Sequence, residues 1–134
     1  EGVMGLFDGF EAAGEAGSTA EMAKWLNLPV LLMVDAASMA RSAAAVVRGF
    51  ETFDEGLTLA GVVFNRVGSE AHLAILKEAV SHYCNIPCLG GLPRDENLIM
   101  PERHLGLITS GEGGLSQERI ARLAEMVETR LDLD

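Results

Sequence analysis

The chain has 134 residues, a length that suits one ordinary domain and is short for two. Apolar residues make up 49% and charged residues 22%, which indicates a globular core rather than a disordered tail or a fibrous repeat. Ten basic and twenty acidic residues give a net charge of −10, which disfavours nucleic acid and anionic membranes as main partners, because both bind clustered cations.

Cysteine content and hydropathy bear on the cell compartment. The two cysteines, Cys84 and Cys88, are too few for a disulfide framework, which favours the reducing cytoplasm. The longest apolar run, residues 29–34, is far too short for a membrane span, and we expect no leader. The chain starts at Glu1 inside a glycine-rich segment, so we expect it to be cut from a longer protein.

Helices and strands are predicted to alternate along the chain. Helices are expected to begin after the capping residues Ser18, Ser69 and Ser116, the first as a capping box with Glu21, and a further helix is expected over residues 38–53. Three apolar runs predict strands over residues 28–35, 59–64 and 86–92.

The first strand is continuously apolar, which is typical of a strand buried on both faces, and Gly90-Gly91 in the third indicates close approach of another backbone. The order of elements predicts an α/β fold with a parallel sheet of three or four strands and helices on both faces. Ligands of such sheets bind beyond the carboxyl ends of the strands. The segments to examine there are residues 1–9, 35–42, 65–69 and 93–104.

The first segment, residues 1–9 (EGVMGLFDG), combines glycines and carboxylates. Glycines allow a backbone to approach an anion, and the carboxylates of Glu1 and Asp8 can hold Mg²⁺. A turn with solvated acids is the alternative.

Three residues at the strand ends have two interpretations each. Asp35 can contact a metal-bound water or cap the turn that follows. Asn65 and Arg66 can offer an amide to a nucleotide base and a guanidinium to a phosphate, or they are a turn residue and a surface cation.

Other ionisable residues give weaker signals. The segment from Pro101 to His104 holds three ionisable groups, in which His104, beside an acid, can act as a general base or remain solvated. His72 and His82 are ten residues apart and share no helical face, which disfavours a metal pair. Cys84 and Cys88 are interpreted as small buried residues.

A phosphate-binding P-loop requires glycine followed by lysine and serine or threonine. The only lysines are Lys24 and Lys77, which follow Ala23 and Leu76, so this chain contains no P-loop.

Taken together, EGVMGLFDG, STAEMAKWLNLPVLLMVDA, MARSAAAVVRGFETFDEGLTLAGVVFNRVGSEAH and IPCLGGLPRDENLIMPERHLGL resemble the cobyrinic acid a,c-diamide synthase family, from Glu1 to about Gly113. The resemblance implies a glutamine-dependent amidoligase of cobalamin biosynthesis that requires ATP and Mg²⁺. In this family a P-loop NTPase domain, similar to dethiobiotin synthetase, activates two acetate carboxylates of a corrinoid as acyl phosphates. A glutaminase domain supplies the ammonia.

The resemblance assigns the glycine-rich segment to catalysis and to substrate binding. Glu1 matches the glutamate that holds Mg²⁺ near the γ-phosphate, and Asp8 matches a second acidic position. Gly5 and Asp8 lie in the loop that faces the substrate.

The resemblance also implies a nucleotide site. Asn65 matches the asparagine that binds adenine, with Arg66 and Pro93 beside it. Arg41 and Ser42 match the helix start that faces the substrate. The resemblance gives no role to the segment from Pro101 to His104.

The chain then corresponds to the latter half of the synthetase domain, without the P-loop half and the glutaminase, and we expect it to be inactive alone. Alternatives are the same chemistry on hydrogenobyrinic acid or nickel sirohydrochlorin, or a binding domain without catalysis. A homodimer is one expected oligomeric state.

Overall fold

The fold is built on a parallel β-sheet. The computed structural model describes residues 2, 4–98 and 116–132. In this part of the chain the strands are β1 (Val30–Asp35), β2 (Leu59–Val67) and β3 (Cys88–Pro93), in the spatial order β1-β2-β3. β2 pairs with both neighbours in the parallel sense, which confirms the predicted α/β class and parallel sheet.

Helices connect and flank the strands. The α-helices are α1 (Thr19–Trp25), α2 (Arg41–Phe53), α3 (Glu70–Tyr83) and α4 (Gln117–Arg130), and Glu96–Leu98 form one 3₁₀ turn. Each hydroxyl of Ser18, Ser69 and Ser116 accepts a hydrogen bond from the backbone N–H three residues further on, at 3.1, 3.1 and 3.3 Å. The three predicted serine caps are therefore confirmed. The capping box at Ser18 is incomplete, because Glu21 Oε2 accepts from the Gly17 N–H at 2.7 Å and the Ser18 N–H donates to the Glu15 carbonyl. No described helix is long and apolar enough to cross a lipid bilayer.

Helix α2 begins later than its apolar pattern predicts. Ser38 has a φ of +60°, and Ala40 has φ −130° and ψ −115°, so neither residue has helical geometry. The helix therefore begins at Arg41, and its first turn has no side-chain cap.

The main core lies between the sheet and the pair of helices α2 and α3, which pack against each other. Leu32 and Val34 of β1 pair with Val62 and Phe64 of β2 and point to this side. The helices contribute side chains such as Val47 and Leu76, both fully buried.

The prediction that β1 is buried on both faces is wrong for the described chain. Leu31 and Met33 point away from the core and are 46% and 56% exposed. β1 is an edge strand, and no described element covers that side of it fully. The central strand β2 is buried on both faces, since Val62 and Val63 are both inaccessible to solvent.

The backbone comes close to a second segment at β3, as the Gly-Gly pair predicts. Gly90 has a φ of +139°, and a Cβ there would overlap the carbonyl oxygen of Arg130. Leu131 forms an antiparallel bridge to Gly90, and the Asp132 N–H donates to the Leu89 carbonyl at 2.7 Å. Gly90 therefore allows the end of α4 to close the outer edge of β3.

Candidate functional site

A cleft of about 330 Å³ opens at the carboxyl ends of the three strands. It is lined by the residues that follow β1, the end of β2 with the start of α3, and the end of β3. The lining residues are Ala37, Ser38, Arg66, Val67, Gly68, His72, Pro93 and Arg94. Because parallel strands end at the same edge of the sheet, residues distant in sequence converge here. Two residues predicted to bind nucleotide, Arg66 and Pro93, therefore lie in one cleft.

Arg66 is held by Asp35 across the ends of β2 and β1. Its Nε donates to Asp35 Oδ1 at 2.8 Å, and its Nη2 pairs with Oδ2. Asp35 Oδ1 also accepts a hydrogen bond from the Ala37 N–H at 3.0 Å. Of the two interpretations of Asp35, the structure favours the capped turn. For Arg66, it shows an exposed guanidinium that is already paired with a carboxylate.

Asn65 lies beside the cleft rather than in its lining. Its Oδ1 accepts a hydrogen bond from the Arg66 N–H at 2.9 Å, and its backbone oxygen accepts one from the Ala36 N–H at 2.9 Å. Both bonds stabilise the end of β2, where the pairing with β3 is irregular between Phe64 and Val67 and Arg66 has a φ of +57°. An amide NH₂ remains as a hydrogen-bond donor. Binding of adenine by Asn65 stays a prediction.

Three further polar residues line the cleft: Ser38 and Arg94, which lie in segments 35–42 and 93–104 but received no individual role from the sequence, and His72, which lies outside those segments. His72 is the third residue of α3, directly after the turn at the end of β2. Its Nδ1 accepts a hydrogen bond from the Gly68 N–H at 3.0 Å, and its Nε2 lies 2.6 Å from the Met39 carbonyl oxygen. The sequence offered one indication that His72 lies in the cleft, namely its position in the first turn of the helix that follows a predicted strand.

The glycine-rich segment lies at a different place. Gly5 lines a hollow of about 730 Å³ that runs along β1 and α1 and shares no lining residue with the cleft. The Asp8 side chain accepts a hydrogen bond from the Gly5 N–H at 3.0 Å, and the Asp8 N–H donates to the Gly5 carbonyl at 3.0 Å. The structure therefore brings Gly5 and Asp8 together, but Gly5 does not line the cleft that contains Arg66 and Pro93.

The remaining predicted residues are exposed or lie outside the described chain. Arg41 and Ser42 occupy the exposed first turn of α2 and line neither the cleft nor the hollow along β1. Glu1 and the segment from Pro101 to His104 lie outside the described residues.

Of the two acidic residues that the sequence predicts to hold Mg²⁺, Asp8 lies within the described chain and Glu1 does not. The exposed carboxylate of Asp8 is a hard oxygen donor, which is the chemistry that Mg²⁺ prefers. Within residues 2, 4–98 and 116–132, no three His, Cys, Asp or Glu side chains cluster as metal ligands. Asp8 therefore fits as one ligand of a site whose other predicted ligand is Glu1.

The two cysteines have the environment of structural residues. Burial raises the pKa of the Cys84 and Cys88 thiols. Their Sγ atoms donate to the carbonyls of Ala44 and Gly90, at 3.5 and 3.8 Å. Because the thiolate is the nucleophile, both groups are poorly suited to covalent catalysis.

Comparison with known proteins gives a consistent set of matches. The CobQ/CobB/MinD/ParA nucleotide binding domain family (CbiA) matches residues 6–108. Cobyrinate a,c-diamide synthases align over the whole chain: that of Dehalococcoides mccartyi strain CBDB1 is 45% identical, and those of Salmonella typhimurium and Methanococcus maripaludis strain C7 are each 48% identical. The chain spans 29% of the length of the first two relatives and 30% of the third. No solved structure gives a match.

Proposed function

Since this chain belongs to the CobQ/CobB/MinD/ParA nucleotide binding domain family, we propose that it is part of an ATP-dependent amidoligase that acts on a corrinoid. The proposed reaction converts the a and c acetate carboxylates of cobyrinic acid into amides during cobalamin biosynthesis. The observation that carries this proposal is the 45–48% identity, over the full chain, to proteins named cobyrinate a,c-diamide synthase.

The cleft at the strand ends is the proposed place for ATP. Asn65 would donate from its amide to the adenine, and Pro93 would pack beside the base. The guanidinium groups of Arg66 and Arg94 supply positive charge at the same cleft. Arg66 would have to share its guanidinium between Asp35 and the nucleotide, because both of its recorded side-chain bonds go to Asp35.

The glycine-rich segment, residues 1–9, is proposed to bind the metal and the substrate. Asp8, with Glu1, would bind Mg²⁺, which spreads the negative charge that develops on a transferred phosphoryl group. Gly5, whose N–H is held by Asp8, would let the loop approach the substrate closely. Arg41 and Ser42, exposed at the start of α2, would contact the carboxylates of the tetrapyrrole.

The proposed reaction has two steps. A substrate carboxylate oxygen attacks the γ-phosphorus of ATP, so that an acyl phosphate forms and ADP leaves. Ammonia then attacks the acyl carbon, the bond from that carbon to the phosphate oxygen breaks, and phosphate leaves with loss of a proton from nitrogen. The product is the primary amide.

The ammonia is proposed to come from glutamine, hydrolysed by a glutaminase domain elsewhere in a longer protein. The chain contains no P-loop and spans under a third of its relatives, so the P-loop half would also lie elsewhere in that protein. The protein would work in the cytoplasm, with a homodimer as one proposed assembly. The 134-residue chain alone is expected to have no ATPase or amidoligase activity.

The proposal is tested with the longer protein that contains this chain. The purified protein is incubated with cobyrinic acid, ATP, Mg²⁺ and glutamine, and the corrinoid products are identified by mass spectrometry. The expected product is the diamide, and omission of ATP should abolish it. Hydrogenobyrinic acid and nickel sirohydrochlorin serve as parallel substrates. Faster amidation of either would reassign the substrate, and no amidation of any of the three would contradict the proposal.

A further inference from the structure

His72 joins the two loops that form opposite sides of the cleft. It lies in the first turn of α3 and is half-buried. One ring nitrogen binds Gly68, on its own side of the cleft. The other nitrogen lies 2.6 Å from the carbonyl oxygen of Met39, which is 33 residues away and belongs to the loop between β1 and α2. The ring therefore connects the loop after β1 to the start of α3.

These two contacts define the protonation of the ring. A backbone N–H can only donate, so Nδ1 of His72 accepts the hydrogen bond from Gly68. The proton of a neutral imidazole then lies on Nε2, which donates it to the Met39 carbonyl. Both bonds form together only when the ring is neutral.

The loop after β1 requires support from outside itself. Ser38 has a left-handed φ of +60°, which is unfavourable for a residue other than glycine. Helix α2 follows without a side-chain cap. Such backbone geometry persists where surrounding contacts hold it, and it is concentrated at functional sites. The second left-handed residue of the cleft, Arg66, lies at the end of β2, two residues before Gly68, which His72 contacts.

We propose that His72 is a positioning residue for the nucleotide, which holds the loop of Ser38 and Met39 at a fixed distance from the end of β2 at Arg66 and the loop at Gly68. The bond to Met39 is the essential one, because it connects the two loops, whereas the bond to Gly68 lies within one of them. This inference rests on the proposed function, in which the cleft takes ATP. His72 acts through the loops and takes no part in bond formation, so its loss changes nucleotide affinity rather than turnover.

Two substitutions separate the two bonds. In His72→Gln the side-chain NH₂ can reach the position of Nε2 and donate to Met39. In His72→Asn the side-chain oxygen can replace Nδ1 as the acceptor for Gly68, but nothing reaches Met39. His82→Asn is the matched control, since His82 is exposed at the far end of the same helix. All variants are made in the longer protein, with His72→Ala as a third variant that removes both bonds.

The expected kinetic result is a split between KM and kcat. H72N and H72A raise the KM for ATP about threefold to tenfold, the effect of one lost hydrogen bond, with kcat within about twofold of wild type. H72Q and H82N keep the KM within about twofold. H72A and H72N are expected to raise the KM for ATP equally, because both lose the bond to Met39. Either variant alone is therefore sufficient for the test if the other does not fold. An unchanged KM in both, or an equal rise in H72Q, overturns the inference.

Hydrogen exchange of the nucleotide-free protein provides a readout that is independent of the reaction. The amides of residues 38–40 are expected to exchange faster in H72N than in wild type, and at the wild-type rate in H72Q. Unchanged exchange in H72N overturns the inference while leaving the proposed function intact. Failure of the wild-type protein to bind ATP at all, measured by calorimetry, overturns both.

Discussion

The guanidinium of Arg66 binds both oxygens of the Asp35 carboxylate and so connects the ends of β2 and β1. The two side chains are 54% and 49% exposed, which limits the strength of the pair. Solvent-exposed ion pairs contribute about 0–1 kcal/mol to stability. The pair therefore serves to orient Arg66 at the cleft more than to stabilise the fold.

Asp35→Asn is expected to lower the free energy of unfolding by less than about 1 kcal/mol. The asparagine oxygen still accepts from Ala37 N–H, so the turn after β1 is retained. The measurement is hydrogen exchange of the core amides of β2, and the small loss should shrink further in high salt. Glu70→Gln, which removes the exposed pair with Arg130, is the control. A loss above about 2 kcal/mol would show that the Asp35–Arg66 pair is structural.

Asn65→Ala is expected to raise the KM for ATP and to weaken discrimination against GTP in the longer protein. The reason is that a buried base left without its hydrogen-bond partner loses about 1–3 kcal/mol of binding. Steady-state kinetics with both nucleotides provide the measurement. Asn85→Ala, an exposed asparagine after α3, serves as the control. Unchanged kinetics with ATP and GTP would limit Asn65 to a structural role at the end of β2.

Glu1→Gln is expected to lower kcat by about two orders of magnitude, with little effect on binding of the tetrapyrrole. The substitution keeps the size of the side chain and removes one charge from the proposed metal ligands, where it would stabilise the transition state. The rate is measured in the longer protein at saturating Mg²⁺ and ATP. Glu11→Gln, which removes another exposed acid from the same stretch of chain, is the control. A near-normal kcat would exclude Glu1 from the mechanism.

Gly90→Ala is expected to destabilise the domain by about 1–3 kcal/mol, the usual cost of a side chain in a backbone region reserved for glycine. The added Cβ also overlaps the Arg130 carbonyl. Gly49→Ala is a matched control, because a Cβ at Gly49, inside α2, meets nothing within 4 Å. That control should stabilise the domain by about 0.5–1 kcal/mol. Hydrogen exchange of β3 measures both, and a neutral Gly90→Ala would contradict the close approach of α4.

The ion pair between Lys24 and Asp54, 2.7 Å apart, predicts a defined pH dependence. The hydrogen bond from Lys24 holds the pKa of the Asp54 carboxyl below its ordinary 3.8, and Asp54 in turn raises the pKa of Lys24 above 10.5. The contribution of Asp54 is therefore complete above about pH 4 and is lost as the pH falls through the lower, folded pKa. The contribution of Lys24 is complete below 10.5 and is lost as the pH rises through its folded pKa.

Asp54→Asn tests this dependence, since its oxygen still accepts from the Gly56 N–H. The stability difference between wild type and D54N should be constant between about pH 5 and 9 and should shrink toward zero in stronger acid. Glu78→Gln, which removes an exposed carboxylate of α3, controls for net charge. A difference between wild type and D54N that does not fall at any acid pH at which the protein stays folded would contradict the assignment to the Lys24 pair.

The sequence by itself determined the features that depend on near neighbours. The caps at Ser18, Ser69 and Ser116 each require a partner three residues away, so spacing alone predicts them. The apolar runs predicted all three described strands, with bounds within three residues, because strand side chains that pack against a core are apolar. The order of helices and strands then predicted a parallel sheet, and the carboxyl ends of its strands as the place of the cleft.

Only the tertiary structure decided which residues meet across the sheet. The contacts of His72 with Met39, of Arg66 with Asp35 and of Gly90 with Arg130 each join segments separated by more than 30 residues, and a local pattern carries no information about such distances. The same applies to β1, whose apolar sequence fits burial on two faces although Leu31 and Met33 are exposed. Burial depends on which elements lie over a strand, and that is a property of the whole packed chain.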